Sequence, residues 1–199
     1  RKDQKQALQA IHSELSHADR ATVVMACGTG KTLVSVWAAE AQCPKTILVL
    51  VPSLSLMTQT VPDWCHQSRW AENFRYLCVC SDKTVVSEED GAEVPPGEAG
   101  FPVSTDYRKV RAFLRAKTPD VRVVFSTYQS AEEVARGLPK GFAFDLGIFD
   151  EAHKTTGPSA GLFSFALRNQ NISIRKRLFG LWTLNVCKLT INHSPFDYS

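Results

Sequence analysis

The order of apolar runs along this 199-residue chain predicts an α/β sandwich built on a mainly parallel sheet. Three observations carry that expectation. Runs rich in β-branched residues alternate with stretches of helical spacing from start to finish, as strands joined by crossover helices do. The run at 45–51, continuously apolar after Lys45-Thr46, suits a strand buried on both faces, and 144–149 reads as another buried strand. Finally, the two most distinctive polar clusters, at 25–32 and 150–153, each follow directly on a strand-like run. Those are the carboxyl ends where open α/β sheets bind their ligands.

Composition sets the outer limits. A hydrophobic share of 44% and a charged share of 22% are ordinary for a globular protein, and the length suits one sizeable core and one domain. A formal charge of +3 leans weakly towards polyanions and does not by itself identify a nucleic-acid binder. No apolar run is long enough to span a bilayer and no secretory signal opens the chain, so a cytoplasmic location is expected. The first residue is Arg1 rather than Met, which suggests a fragment or a trimmed product. The six cysteines, at 27, 43, 65, 78, 80 and 187, show no paired spacing. Free thiols in a reducing compartment are therefore expected, and a disulfide framework or a zinc site is not. Cys78 and Cys80 are expected to point to opposite faces of one strand.

The elements follow in order. Ala7, Leu8 and Ile11 recur at helical spacing near the start, with Asp3 placed to cap that helix. A strand at 21–24 leads through a glycine-bearing turn to a helix over 33–39. The strand at 45–51 ends at Pro52-Ser53, a turn into a second helix, and Pro62 inside that helical pattern predicts a break or kink. A third strand is expected at 74–80, and 87–98, acidic and rich in Gly and Pro, reads as a surface loop. Ser104-Thr105-Asp106 should cap a helix running through Val110, Phe113 and Leu114. A strand at 121–125 runs into Ser126-Thr127-Tyr128-Gln129-Ser130, a helix follows over 131–138, and the strand at 144–149 ends in Asp150-Glu151-Ala152-His153.

Chemistry concentrates at two of these ends. Met25-Ala26-Cys27-Gly28-Thr29-Gly30-Lys31-Thr32 joins a strand to a helix, the context a phosphate-binding loop requires. Its glycines let the backbone approach closely, and successive N–H groups with the helix N-terminus form a concavity for anionic oxygens. Lys31 is placed to reach the β- and γ-phosphates, and the Thr32 hydroxyl to ligate Mg²⁺. Met25 departs from the strict pattern, which has glycine there. At the acidic end, Asp150 is expected to hold Mg²⁺ and Glu151 to act as general base on the attacking water. Two carboxylates are needed because the one occupied by the metal cannot also serve the water. His153 has no second histidine or cysteine at ligand spacing, so zinc is rejected. The acidic cluster alone reads equally as a helix start, whereas for the glycine-bearing turn that plain reading is the weaker one. Together, on what are expected to be neighbouring strand ends, they read as one ATP site.

Residues 26–32 with Asp150-Glu151-Ala152-His153 resemble the DEAD/DEAH-box helicases of superfamily two, and in particular the helicase subunits of type III restriction enzymes. The resemblance extends over 1–179. It implies a RecA-like P-loop NTPase fold, a three-layer sandwich, acting as the N-terminal ATP-binding lobe of a DNA-dependent ATPase, helicase or translocase. ATP and Mg²⁺ are the implied cofactors and double-stranded DNA the implied partner. The family accepts a non-glycine where Met25 stands. By resemblance, Gln4 reads the adenine with Arg1 beside it, and Gly28, Thr29, Gly30, Lys31 and Thr32 cradle the phosphates. Ser53 and Gln59 lie where the family contacts the nucleic-acid backbone, as does Thr127; ordinary helix capping by Ser53 and Thr127 explains those two residues equally well. His153 couples nucleotide state to the motor.

The family pattern then stops. Residues 176–179 resemble the start of the strand carrying a Ser/Thr-Ala-Thr turn, yet the chain continues Gly180-Leu181-Trp182-Thr183. The expected organisation is a lobe over 1–179 and a divergent tail over 180–199, from a shifted reading frame or an unusual terminal strand. A second RecA-like lobe is not expected within these 199 residues, nor are the arginine fingers that it supplies in the family. An isolated chain of this kind is expected to be weak or inactive as an ATPase. The alternative is a non-catalytic nucleotide-binding module.

Overall fold

The computed structural model describes residues 2–26, 30–70, 73–80, 100–151 and 164–183. Within them, β1 (Arg20–Ala26), β2 (Thr46–Val51), β3 (Phe74–Val79), β4 (Val103–Ser104), β5 (Val121–Thr127), β6 (Phe144–Phe149) and β7 (Ile174–Thr183) form one seven-stranded sheet. Its order is β1-β7-β6-β2-β5-β3-β4, and every pairing is parallel. The helices are α1 (Lys2–His17), α2 (Lys31–Gln42), α3 (Leu54–Gln67), α4 (Tyr107–Arg115) and α5 (Ala131–Gly137).

Side-chain alternation divides the core into two layers. On β2, Ile47, Val49 and Val51 join Ile11 of α1, Val34 of α2 and Trp64 of α3 on one face. Leu48 and Leu50 join Val110 of α4 and Val134 of α5 on the other. A strand covered on both faces has no polar side to show in its sequence, which is why 47–51 reads as an unbroken apolar run. Asp145 ties the entrance edge of the sheet together: its Oδ2 accepts from the backbone N–H of Lys45 and Thr46, at 2.9 and 3.0 Å.

Four expectations are corrected. Pro62 does not break α3, which runs continuously from Leu54 to Gln67. Met57, Val61 and Trp64, all buried, anchor the helix on both sides of the proline, so packing outweighs the lost backbone hydrogen bond. Asp3 lies within the first turn of α1 rather than before it, where its charge suits the positive end of the helix dipole. Cys78 and Cys80 face the same core layer, and Val79 between them faces the other. Strand side chains alternate with period two, so residues two apart share a face. Finally, β1 and β6 are not neighbours, because β7 is inserted between them. Elsewhere expectation and structure agree closely. Asp106 caps α4, its side chain accepting from the Arg108 N–H at 2.8 Å. The loop expected at 87–98 lies outside the described residues.

β7 crosses position 180 without interruption, pairing Gly180 to Thr183 with Val23 to Ala26. Its Arg177 is wholly buried. The guanidinium donates to the Ile174 carbonyl at 2.9 Å and to Asn169 Oδ1 at 2.7 Å, and burial lowers its pKa to about 10.

Candidate active site

The β1–α2 turn begins with a strand that continues through Ala26. Met25 is therefore still a strand residue, paired with Trp182 and only 4% exposed, and it fills the core layer under α1–α3. That placement accounts for its departure from the strict phosphate-loop pattern. Gly28 and Thr29 lie outside the described residues, as do Arg1 and His153. Gly30 caps α2 in the left-handed region, φ 83° and ψ 46°, where a side chain would be strained. Space is a second constraint there. A Cβ on Gly30 would fall 2.5 Å from Nε2 of Gln4, so the buried carboxamide of α1 rests directly against this turn.

Lys31 and Thr32 open α2. Across β7, the end of β6 delivers Asp150 and Glu151, and the Lys31 Nζ lies 3.6 Å from Glu151 Oε1. Lys31, Thr32 and Asp150 also line a common cavity of about 30 Å³, whose apolar wall includes Ile11, Val23 and Trp64. The structure thus brings together four of the residues expected to act on phosphate and metal. Thr32 and Asp150 offer oxygen donors alone, which suits a hard cation such as Mg²⁺. Among the described residues no group of three or more His, Cys, Asp or Glu side chains is placed to hold a metal. An ion at this position would complete its shell with phosphate oxygens and water, as Mg²⁺ commonly does.

The acidic turn is held by its surroundings. The Asp150 N–H donates to the Leu50 carbonyl at 2.9 Å, and the Glu151 N–H to Asp150 Oδ1 at 3.0 Å. Glu151 has φ 53°, left-handed and unusual for a residue with a side chain. Tyr128, in the 3₁₀ turn Tyr128–Ser130 after β5, donates its hydroxyl to the Asp150 carbonyl at 2.8 Å. Burial, then the charges of Asp150 and Glu151, push that hydroxyl well above the usual tyrosine range, so it remains a donor. Sequence reasoning missed Tyr128. Its only signal was an aromatic ring set among hydroxyl and amide residues at a strand end.

The candidate nucleic-acid contacts divide. Ser53 caps α3, its Oγ accepting from the Leu56 N–H at 3.3 Å, and Gln59 is exposed on that helix. Thr127 is 1% exposed, and its hydroxyl donates to Ser130 Oγ at 3.0 Å.

An all-parallel sheet with helices on both faces and its acidic and lysine-bearing turns at one edge defines a RecA-like domain of the superfamily-two helicase type. The chain belongs to the family of type III restriction enzyme res subunits, whose family model matches residues 1–179. A "Probable helicase" of African swine fever virus is 32% identical over 155 residues, covering 77% of this chain and 16% of the relative. The chain therefore spans only a small part of the curated relatives it matches. Among solved structures, the Type ISP restriction-modification enzyme LlaBIII bound to DNA superposes with a TM-score of 0.78 at 30% identity, covering 92% of this chain and 12% of that one. A nuclease-deletion mutant of the Type ISP enzyme LlaGI, in complex with a DNA substrate mimic, gives 0.73 at 31%, covering 90% and 15%. The Hef helicase domain of Pyrococcus furiosus shares the fold, with a TM-score of 0.51 at 21% identity, covering 93% and 34%.

Proposed function

We propose that this chain is the N-terminal ATP-binding lobe of a restriction-type, DNA-dependent ATPase that works as a helicase or translocase in its full-length form. The observation that carries the reading is the approach of Lys31 to Glu151, 3.6 Å apart, beside a cavity shared by Lys31, Thr32 and Asp150. In this reading Gly30 and its neighbours receive the phosphates and Gln4 lies where a base-reading residue is needed. Lys31 holds the β- and γ-phosphates. Thr32 and Asp150 hold Mg²⁺, which when bound neutralises charge on the phosphate oxygens. Glu151 orients the attacking water and takes its proton as the water oxygen bonds to the γ-phosphorus and the bond to the bridging oxygen breaks, releasing ADP and phosphate.

Double-stranded DNA is the proposed partner, supported by the DNA complexes of the two Type ISP enzymes, with Ser53 and Gln59 as candidate contacts and His153 in coupling; the burial of Thr127 fits its local hydrogen bond to Ser130 better than a DNA contact. A second RecA-like lobe would supply arginine to the transferring phosphoryl group, an effect worth roughly 10³-fold or more in rate. Residues 1–179 form the lobe in this proposal. A cytoplasmic location follows from it; among the described residues no helix is long and apolar enough to cross a membrane.

A DNA-stimulated phosphate-release assay, run beside ATP titration, tests the reading. The isolated chain should bind ATP·Mg²⁺ weakly and turn it over slowly, with Lys31→Ala removing binding and Glu151→Gln removing turnover alone. Binding that persists with no turnover in any setting, including after a second lobe is supplied, would favour the non-catalytic module. Failure of the unaltered chain to bind ATP·Mg²⁺ even at millimolar concentration would sink the phosphate-site assignment.

A further inference from the structure

Tyr128 has no part in the ATP site as proposed, yet it makes the most constrained polar contact near it. Its ring is 1% exposed and packed in the layer between the sheet and α5. A buried hydroxyl left without a partner is costly, so its bond to the Asp150 carbonyl, 2.8 Å long, is one the fold must keep. The contact also bridges distance in the sheet: Tyr128 follows β5, Asp150 follows β6, and β2 lies between those strands.

The carbonyl it binds belongs to the peptide joining the two acidic residues. On the other side of that peptide, the Glu151 N–H is turned back onto Asp150 Oδ1, and Glu151 itself is left-handed. The Asp150 N–H is pinned to β2 through Leu50. With its carbonyl and its N–H both bonded, the 150–151 peptide cannot rotate freely, and its rotation decides where the two carboxylates point. We propose that Tyr128 is a positioning residue, holding the Asp150–Glu151 peptide turned so that Asp150 faces the shared cavity while Glu151 faces Lys31. This rests on the ATP-site reading and adds to it a specific support reaching across from β5.

The experiment is calorimetric titration of ATP into the chain, with Mg²⁺ and with EDTA, for three proteins. These are the unaltered chain, Tyr128→Phe, which keeps the ring, and Thr46→Val, which removes a hydroxyl bonded to Asp145 at the other end of the sheet. In Tyr128→Phe the gain in affinity that Mg²⁺ confers should fall about 3- to 10-fold, with Mg²⁺-free binding changed less than about twofold. Thr46→Val should lower the unfolding temperature without altering that gain. An unchanged gain in Tyr128→Phe, or an equal fall in Thr46→Val, overturns the positioning role while leaving the ATP site intact. Absence of ATP binding by the unaltered chain in both conditions overturns the ATP-site reading and this inference with it.

Discussion

The turns after β1 and β6, set on either side of β7, reach the same region of backbone space by opposite means. Gly30 adopts φ 83° and Glu151 φ 53°. For glycine this conformation carries no steric penalty, whereas a residue with a Cβ gives up about 1–2 kcal/mol there. The phosphate-side turn is thus written into a single residue type. The acidic turn is imposed from outside, by Leu50, by the Asp150 side chain and by Tyr128. A strained residue held by its surroundings beside a reactive group is a common feature of functional sites. The comparison explains why one turn announces itself as glycine and the other does not.

The largest effect that can break this comparison is expected from Gly30→Ala. It should cost about 1–2 kcal/mol in urea-induced unfolding, from left-handed strain. Because the new methyl also displaces Gln4, ATP affinity should fall at least about tenfold, the counterpart of a further 1.4 kcal/mol. Unchanged stability and affinity would mean that the turn does not depend on glycine. The turn after β2 offers an intermediate case, in which a side chain supplies the cap. Ser53→Ala should cost about 1 kcal/mol by the same measurement, the usual worth of such a cap. No loss of stability would return Ser53 wholly to the nucleic-acid role. The smallest effect on stability is expected at the strained acid. Asparagine tolerates the left-handed region, so Glu151→Asn should leave stability within about 1 kcal/mol of the original, on the favourable side. Phosphate release should nevertheless be lost. A marked drop in stability would show that Glu151 is held by its ion pair to Lys31 and not by the turn.

Much of this architecture was legible because it depends on neighbouring residues. The β-branched run at 45–51, the Asp106 cap and the Gly30 turn each follow from a few consecutive positions, and each is found where expected. The misplaced expectations came from weighing a local rule without its surroundings. Pro62 is a helix breaker in isolation, but here Val61 and Trp64 hold the helix to the core. For Cys78 and Cys80 the period-two rule itself was misapplied.

The candidate site divides along the same line. Lys31, Thr32, Asp150 and Glu151 were singled out from motif and spacing, as the groups that the proposed phosphate and metal chemistry would need at strand ends. Their convergence depends on strand order. β7, the last of the seven strands among the described residues, inserts between β1 and β6, and a strand order of this kind is set by pairing between distant segments. The partner of Tyr128 lies 22 residues away in sequence, and that of Thr46 lies 99 away. Periodicity, capping and glycine turns are short-range properties, so the chain displays them openly. Which buried hydroxyl meets which carbonyl, and which backbone is forced left-handed, is settled only when the sheet closes and desolvation makes an unpartnered polar group costly.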